Sequence, residues 1–224
     1  MASKNQVKEH YHLWDLPKGI FPRNKGNKAK AYAEDFAQLY KTLLFINTKV
    51  QESAQLCIFH IKSIKNMNDG YHTSPEKVFS HIDDFIYHYE NFCHRVYAIR
   101  EKFLKFINLI LPVGYKDRQV RIEHMLINPI VKQTKLLSEI EKFNKRKGLG
   151  RIINDRKLMT HQLSYTDVNR HLFPVNKVKT LNKEGLRHWQ KEITTRAGLV
   201  NKALSELDGI NHETSDKIVI YKNI

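Results

Sequence analysis

The chain is patterned for long helices. Between about Ala29 and Lys65, Phe36, Tyr40, Leu43, Asn47, Val50, Ala54, Cys57, Ile61 and Ile64 follow one another in steps of four and three. That rhythm is the seam of a helix packed almost parallel to a neighbour. Asn47 is the one polar residue on the seam, and a polar seam position is suited to setting register. After the MNDGYHT break, Ser74-Pro75-Glu76 reads as a helix start: a cap, a residue with fixed φ, and an acid near the positive end of the dipole. The same rhythm then returns at Val78, Ile82, Phe85, Tyr89, Phe92, Val96, Ile99, Phe103, Phe106 and Ile110, and stops at Pro112-Val113-Gly114. Two seams of matching length joined by a short break predict an antiparallel helical hairpin.

Three further helical stretches follow. Residues 118–147 carry one that Pro129 interrupts, either as a kink or as the first turn of a new helix capped by Asn128. Gly148 and Gly150 mark a joint, and a fourth helix is expected from near Arg151 through His161. Leu186, Trp189, Ile193, Ala197, Val200, Leu204 and Leu207 predict a fifth over about Lys183–Leu207. KIVIYKNI alternates at the end and reads as a short strand or extended tail. The fold class is therefore all-α: a long hairpin plus two to three further helices. Residues 1–27 are expected to pack on the body, 28–208 form the helical domain, and 209–224 form the tail.

Composition changes one point only. Hydrophobic residues are 41% and charged residues 27%, ordinary values for a globular protein. The net charge is +15, which favours an acidic partner such as nucleic acid. Cys57 and Cys93 both fall on apolar helix faces and read as buried thiols, because a disulfide scaffold or zinc cluster needs more cysteines. The N-terminal residues show no signal-like apolar run, and no stretch reaches membrane-spanning length, so no membrane role and a cytoplasmic location are expected.

The candidate chemistry lies in GLGRIINDRKLMTHQLSY, residues 148–165. Arg156 and His161 are separated by four residues, and the basic run Lys145, Arg146, Lys147 precedes them. A permanently charged fork donor beside a group that titrates near neutrality suits work on phosphodiesters. Spacing alone is weak, since chance yields about two such Arg-to-His pairs in this composition. The second pair, Arg118 and His124, alternates with apolar residues and reads as a solvated face. The Arg156/His161 pair follows a glycine joint and a basic run at the expected start of a helix, where free N–H groups attract phosphate. Around a regular helix the two side chains diverge by roughly 140°. Asn154 lies seven residues before His161 on nearly the same side and can orient it. His81, Asp84 and His88 recur on one face of the second helix; without a fourth ligand they read as a polar stripe opposite the seam, and no metal or cofactor is assigned.

A long hairpin, further helices and then this Arg/His pair resemble the HEPN superfamily (higher eukaryotes and prokaryotes nucleotide-binding). NDRKLMTHQ resembles its signature, and FCHRVYAIREKFLKFIN resembles the second helix of some prokaryotic members. The resemblance spans residues 30–208 in architecture. It implies an all-α fold, a homodimer with two Arg/His motifs facing across the axis, and metal-independent endoribonuclease activity, often in toxins or antiphage defence effectors. It implies Arg156 and His161 as catalytic residues; Asn154, Lys157 and Tyr165, close to them in the sequence, are expected to support them. Lys145, Arg146, Lys147 and Arg151 are expected to contact RNA phosphates, which makes binding salt-dependent. Partners are then RNA, a second copy of the chain, and an antitoxin or sensor protein.

The chemistry of such a site is simple. The ribose 2′-OH attacks its own phosphodiester. His161 moves a proton near its ordinary pKa of about 6.5. Arg156 holds non-bridging oxygens and offsets charge that grows in the transition state. One imidazole per chain does not serve readily as acid and base together, and a two-fold dimer supplies the second. Members often carry Asn, Asp or His directly after the arginine, where this chain has Lys157. That departure favours the alternative reading, a non-catalytic basic helical scaffold for RNA or protein.

Overall fold

A computed structural model describes residues 27–67, 75–111, 113–161 and 183–221. The N-terminal segment, Tyr165 and the 162–182 connection lie outside the described residues, as does the side chain of His161. All regular structure among the described residues is helical.

Helix α1 (Asn27–Asn66) and helix α2 (Pro75–Ile110) form the expected antiparallel hairpin. Both seams are buried, with only Tyr40, Asn47 and Ile110 partly open. The pairing is fixed at three levels. Phe36 near the start of α1 meets Phe106 near the end of α2, with ring centroids 5.2 Å apart. In the middle, Arg95 Nη1 donates to the Lys49 carbonyl at 2.7 Å. At the other end His60 meets His81, with nitrogens 3.0 Å apart.

The chain turns after α2 at Gly114, whose φ of +76° is open to glycine and strained for other residues. The Asn108 side chain closes this turn, donating to the Tyr115 carbonyl and accepting from its N–H. A 3₁₀ turn (Asp117–Gln119) leads to α3 (Ile122–Ile127) and α4 (Pro129–Lys132). Of the two options at Pro129, the cap is the one realised: Asn128 Oδ1 accepts from Ile130 and Val131 N–H at 2.9 and 3.3 Å. Helix α5 (Leu136–Lys145), α6 (Lys147–His161) and α7 (Lys183–Tyr221) complete the bundle.

Two expectations need correction. The joint between α5 and α6 is at Arg146, which is extended (ψ 131°), and not at the glycines. Gly148 and Gly150 lie inside the first turns of α6, so Arg156 is mid-helix and His161 ends it. Gly148 is required there by packing. A Cβ on it would meet the Ala203 backbone nitrogen at 3.0 Å and Glu206 Oε2 at 2.8 Å. Glu206 accepts from the N–H groups of Gly148 and Leu149 at 3.2 and 2.8 Å. The start of α6 is therefore occupied by a carboxylate from α7, and its orphan donors are not left open to phosphate.

The second correction concerns the C-terminus. Residues 209–221 continue α7 and form no strand. Leu207, Ile210, Asn211 and Thr214 carry the buried face onward in steps of three, one and three, and Lys217 pairs with the buried Glu139 of α5. Tertiary packing thus overrides the β-branched preference of Ile218-Val219-Ile220.

Gly148→Ala tests the close approach. In an open helix this change stabilises by about 1 kcal/mol. Here urea unfolding should show a loss of about 1–3 kcal/mol, because the new methyl group strikes the backbone of α7. A variant as stable as wild type would show that the α6–α7 contact is looser than described.

Candidate functional site

The site is built where α6 lies against α2 and α7. Leu149, Ile152 and Ile153 bury the inner face of α6. Within that face sits Asp155, which is only 1% exposed. Tyr89 of α2 donates its hydroxyl to Asp155 Oδ2 at 2.6 Å, and Arg196 of α7 donates from Nη1 to the same oxygen at 2.5 Å. Arg151 approaches Oδ1 at 3.3 Å from one turn earlier on α6. A buried carboxylate is tolerable only when paired and hydrogen-bonded in this way. Burial holds the Tyr89 phenol well above its ordinary pKa, so it stays a proton donor to Asp155.

Arg156 is the next residue. With Asp155 fixed inward, a step of about 100° aims Arg156 at α2. Its guanidinium carbon lies 3.9 Å from the centroid of the Tyr97 ring. Arg100 places its own at 4.4 Å from the same ring. One tyrosine thus carries two guanidinium groups, each contact worth about 0.5–2 kcal/mol. Arg100 is paired with Glu101 at 3.2 Å. The Nε atoms of both arginines are buried without a hydrogen-bond partner among the described residues. Two guanidinium groups over one ring make this part of α2 locally positive.

Beside this ring opens a cleft of ≈ 580 Å³. Tyr97, Arg100, Glu101, Arg121, Asn154 and Lys157 line it. Asn154 and Lys157, both expected as supporting residues, therefore share a wall with Tyr97. Position 161 follows them at i+7 and i+4, so it falls on the same face of α6, one turn further on.

The expected phosphate contacts are divided. Lys147 and Arg151 line a second groove, ≈ 540 Å³, against α7 with Thr195, Arg196 and Lys202. Lys145 is ion-paired with Glu141 at 2.6 Å, and Arg146 is exposed at the bend. His124, in the second Arg-to-His pair, contacts the Gln119 carbonyl at 2.7 Å, and Arg118 is exposed, as a solvated face requires. Cys57 and Cys93 are free and buried. Burial pushes the Cys57 thiol up to about 12 and that of Cys93 well above its ordinary range, so neither is a nucleophile at neutral pH.

Sequence reasoning missed Tyr97, Arg100, Asp155 and Arg196. Tyr97 and Arg100 do stand three apart on α2, the spacing of helix-surface neighbours, and that was their one local signal.

A family model for the HEPN_Cthe2314-like HEPN family matches residues 40–214. The chain belongs to this HEPN family. No curated protein matches the chain, and no solved structure does. The matched span runs from within α1 to within α7, so this HEPN fold includes the hairpin, α6 with its Arg156/His161 pair, and most of the helix that supplies Arg196. No described helix is long and apolar enough to cross a membrane.

His94 reports on where Arg156 sits. Burial lowers its pKa first, and the nearby Arg156 charge lowers it further. A cation disfavours the protonated ring, so Arg156→Gln should raise the His94 titration midpoint in NMR, while burial keeps it below about 6.5. An unmoved midpoint would place Arg156 away from this face of α2. Asp155→Asn should cost about 3–5 kcal/mol in urea unfolding, because Arg196 loses its buried counter-charge; a loss under about 1 kcal/mol would show that solvent already screens the pair.

Proposed function

We propose that this HEPN protein is a metal-independent endoribonuclease, with Arg156 and His161 as its catalytic residues and the working site completed across a homodimer. The observation that carries the reading is the Arg156 guanidinium. It is held over Tyr97, a ring that lines a cleft bearing Arg100, Arg121 and Lys157 together with Glu101 and Glu123. Stacking on the ring holds the guanidinium in place and so lowers the cost of fixing it on a phosphate. Family membership and the +15 charge support an RNA substrate.

In this reading the RNA strand enters the cleft beside Tyr97. Arg156 takes non-bridging phosphate oxygens, with Arg100 and Lys157 adding positive charge. His161 transfers a proton during attack by the 2′-OH, and the second His161 of the dimer serves the leaving oxygen. Asn154 orients His161, and Tyr165 supports the site. Lys145, Arg146, Lys147 and Arg151 guide the flanking phosphates, the latter two along the groove against α7. The protein acts in the cytoplasm as a toxin or antiphage effector under the control of an antitoxin or sensor.

The test is cleavage of single-stranded RNA in EDTA, with product 3′ ends analysed for cyclic phosphate. His161→Ala should lower turnover by about 10²–10⁴-fold. Arg156→Ala should cost about 10²–10³-fold. Equal activity in wild type and His161→Ala would remove His161 from the mechanism. Salt-dependent retention of RNA without products would instead identify a basic binding scaffold.

A further inference from the structure

The polar stripe on α2 gains a partner in three dimensions. His81 and Asp84 face α1, and α1 brings His60 to them. His60 Nδ1 lies 3.0 Å from His81 Nδ1 and 3.8 Å from Asp84 Oδ2, and one ligand atom from each of the three residues falls within 4.8 Å of the others. His60 is buried at 7% exposure, His81 is partly exposed and Asp84 is exposed, so the group is anchored in the α1–α2 wall and opens to solvent at Asp84. His88 stacks on His60, with centroids 5.4 Å apart and planes 20° from parallel. Phe59 packs edge-on against both His60 and His81, closing another side with an apolar ring.

We infer that His60, His81 and Asp84 form a site for a borderline divalent transition metal, zinc above all, that staples α1 to α2. Nitrogens bound at about 2.0–2.1 Å to one ion stand about 3.0–3.4 Å apart at ordinary coordination angles. The two imidazole nitrogens already have that separation. The half-exposed Asp84 carboxylate closes its remaining gap by rotating its side chain. Two imidazoles and one carboxylate select zinc, cobalt or nickel over magnesium or calcium, which prefer all-oxygen shells. Water fills the positions left on the ion.

The staple closes the end of the hairpin where the chain crosses from Asn66 to Pro75. It is separate from the Tyr97 cleft. Asp84 and Tyr97 are thirteen residues apart on α2, about 20 Å along the axis, and on different faces. The inference therefore stands independently of the nuclease reading.

The experiment uses the full chain, stripped with EDTA and desalted, then titrated with zinc chloride in a calorimeter and with cobalt(II) in a spectrophotometer. Wild type should bind one zinc per chain through this site, give cobalt d–d bands typical of nitrogen and oxygen ligands, and melt several degrees higher with excess zinc. His81→Gln and Asp84→Asn, both at partly exposed positions, should each weaken zinc by about a hundredfold, no less than losing an outer-shell partner. His60→Ala should abolish binding, and if it does not fold, the other two variants decide. His124→Ala, far along the chain, should bind as wild type. Wild type that takes up no zinc, or His81→Gln and Asp84→Asn that bind it unchanged, would overturn the assignment.

Discussion

The structure turns on one buried carboxylate. Asp155 accepts from Tyr89 and Arg196, and so ties α6 to α2 and α7 at a single point. Apolar contacts hold the same helices together more strongly in sum, since fully burying each Phe or Ile is worth about 1.5–3 kcal/mol. Those contacts are non-directional, however, and tolerate rotation or sliding of a helix. A charged pair inside the protein does not tolerate it, because displacement leaves a charge without its partner. Asp155 thus fixes the rotation of α6 about its own axis, and the rotation decides that Arg156 meets Tyr97 and that Asn154 and Lys157 face the cleft.

Helix α7 repeats this device along its length. Arg196 reaches Asp155, Glu206 caps α6, and Lys217 meets the fully buried Glu139 of α5, which Lys142 also holds at 2.9 Å. Glu213 joins Lys142 on the outer side, and these lysines hold its carboxyl below its ordinary pKa. One long helix therefore sets the positions of two shorter ones by alternating basic and acidic contacts. This explains why α5 and α6 meet at a bend of one extended residue, Arg146, without needing glycine there. It also explains why the start of α6 is no open phosphate site: Glu206 takes the N–H groups of Gly148 and Leu149.

The two ends of the hairpin differ in chemistry. Phe36 and Phe106 meet at one end in an apolar contact, while His60, His81, Asp84 and His88 gather at the other. The Tyr97 cleft lies between these ends, on the side of α2 that faces α6. One helix thus contributes an apolar seam to α1, a titratable cluster near its start, and a ring flanked by two arginines farther on. The periods of these features along α2 are all helical, so they coexist on separate faces without competing for the same positions.

By itself the sequence determined the class and the hairpin. The seams of α1 and α2 alternate in steps that only a helix can gather onto one side, and burial of such a stripe drives the pairing wherever the chain goes next. Asn128 before Pro129 likewise acts through bonds to its own neighbours, so its cap was legible locally. Tertiary structure alone decided where α6 begins, that α7 continues through Tyr221, that Arg156 stacks on Tyr97, and that His60 meets the group on α2. Each of these depends on a partner more than twenty residues away: Glu206 for Gly148, Lys217 for Glu139, Tyr97 for Arg156, His81 for His60. Local spacing carries no record of such partners, because a buried charge, a close backbone approach or a shared ligand is settled only when two segments meet.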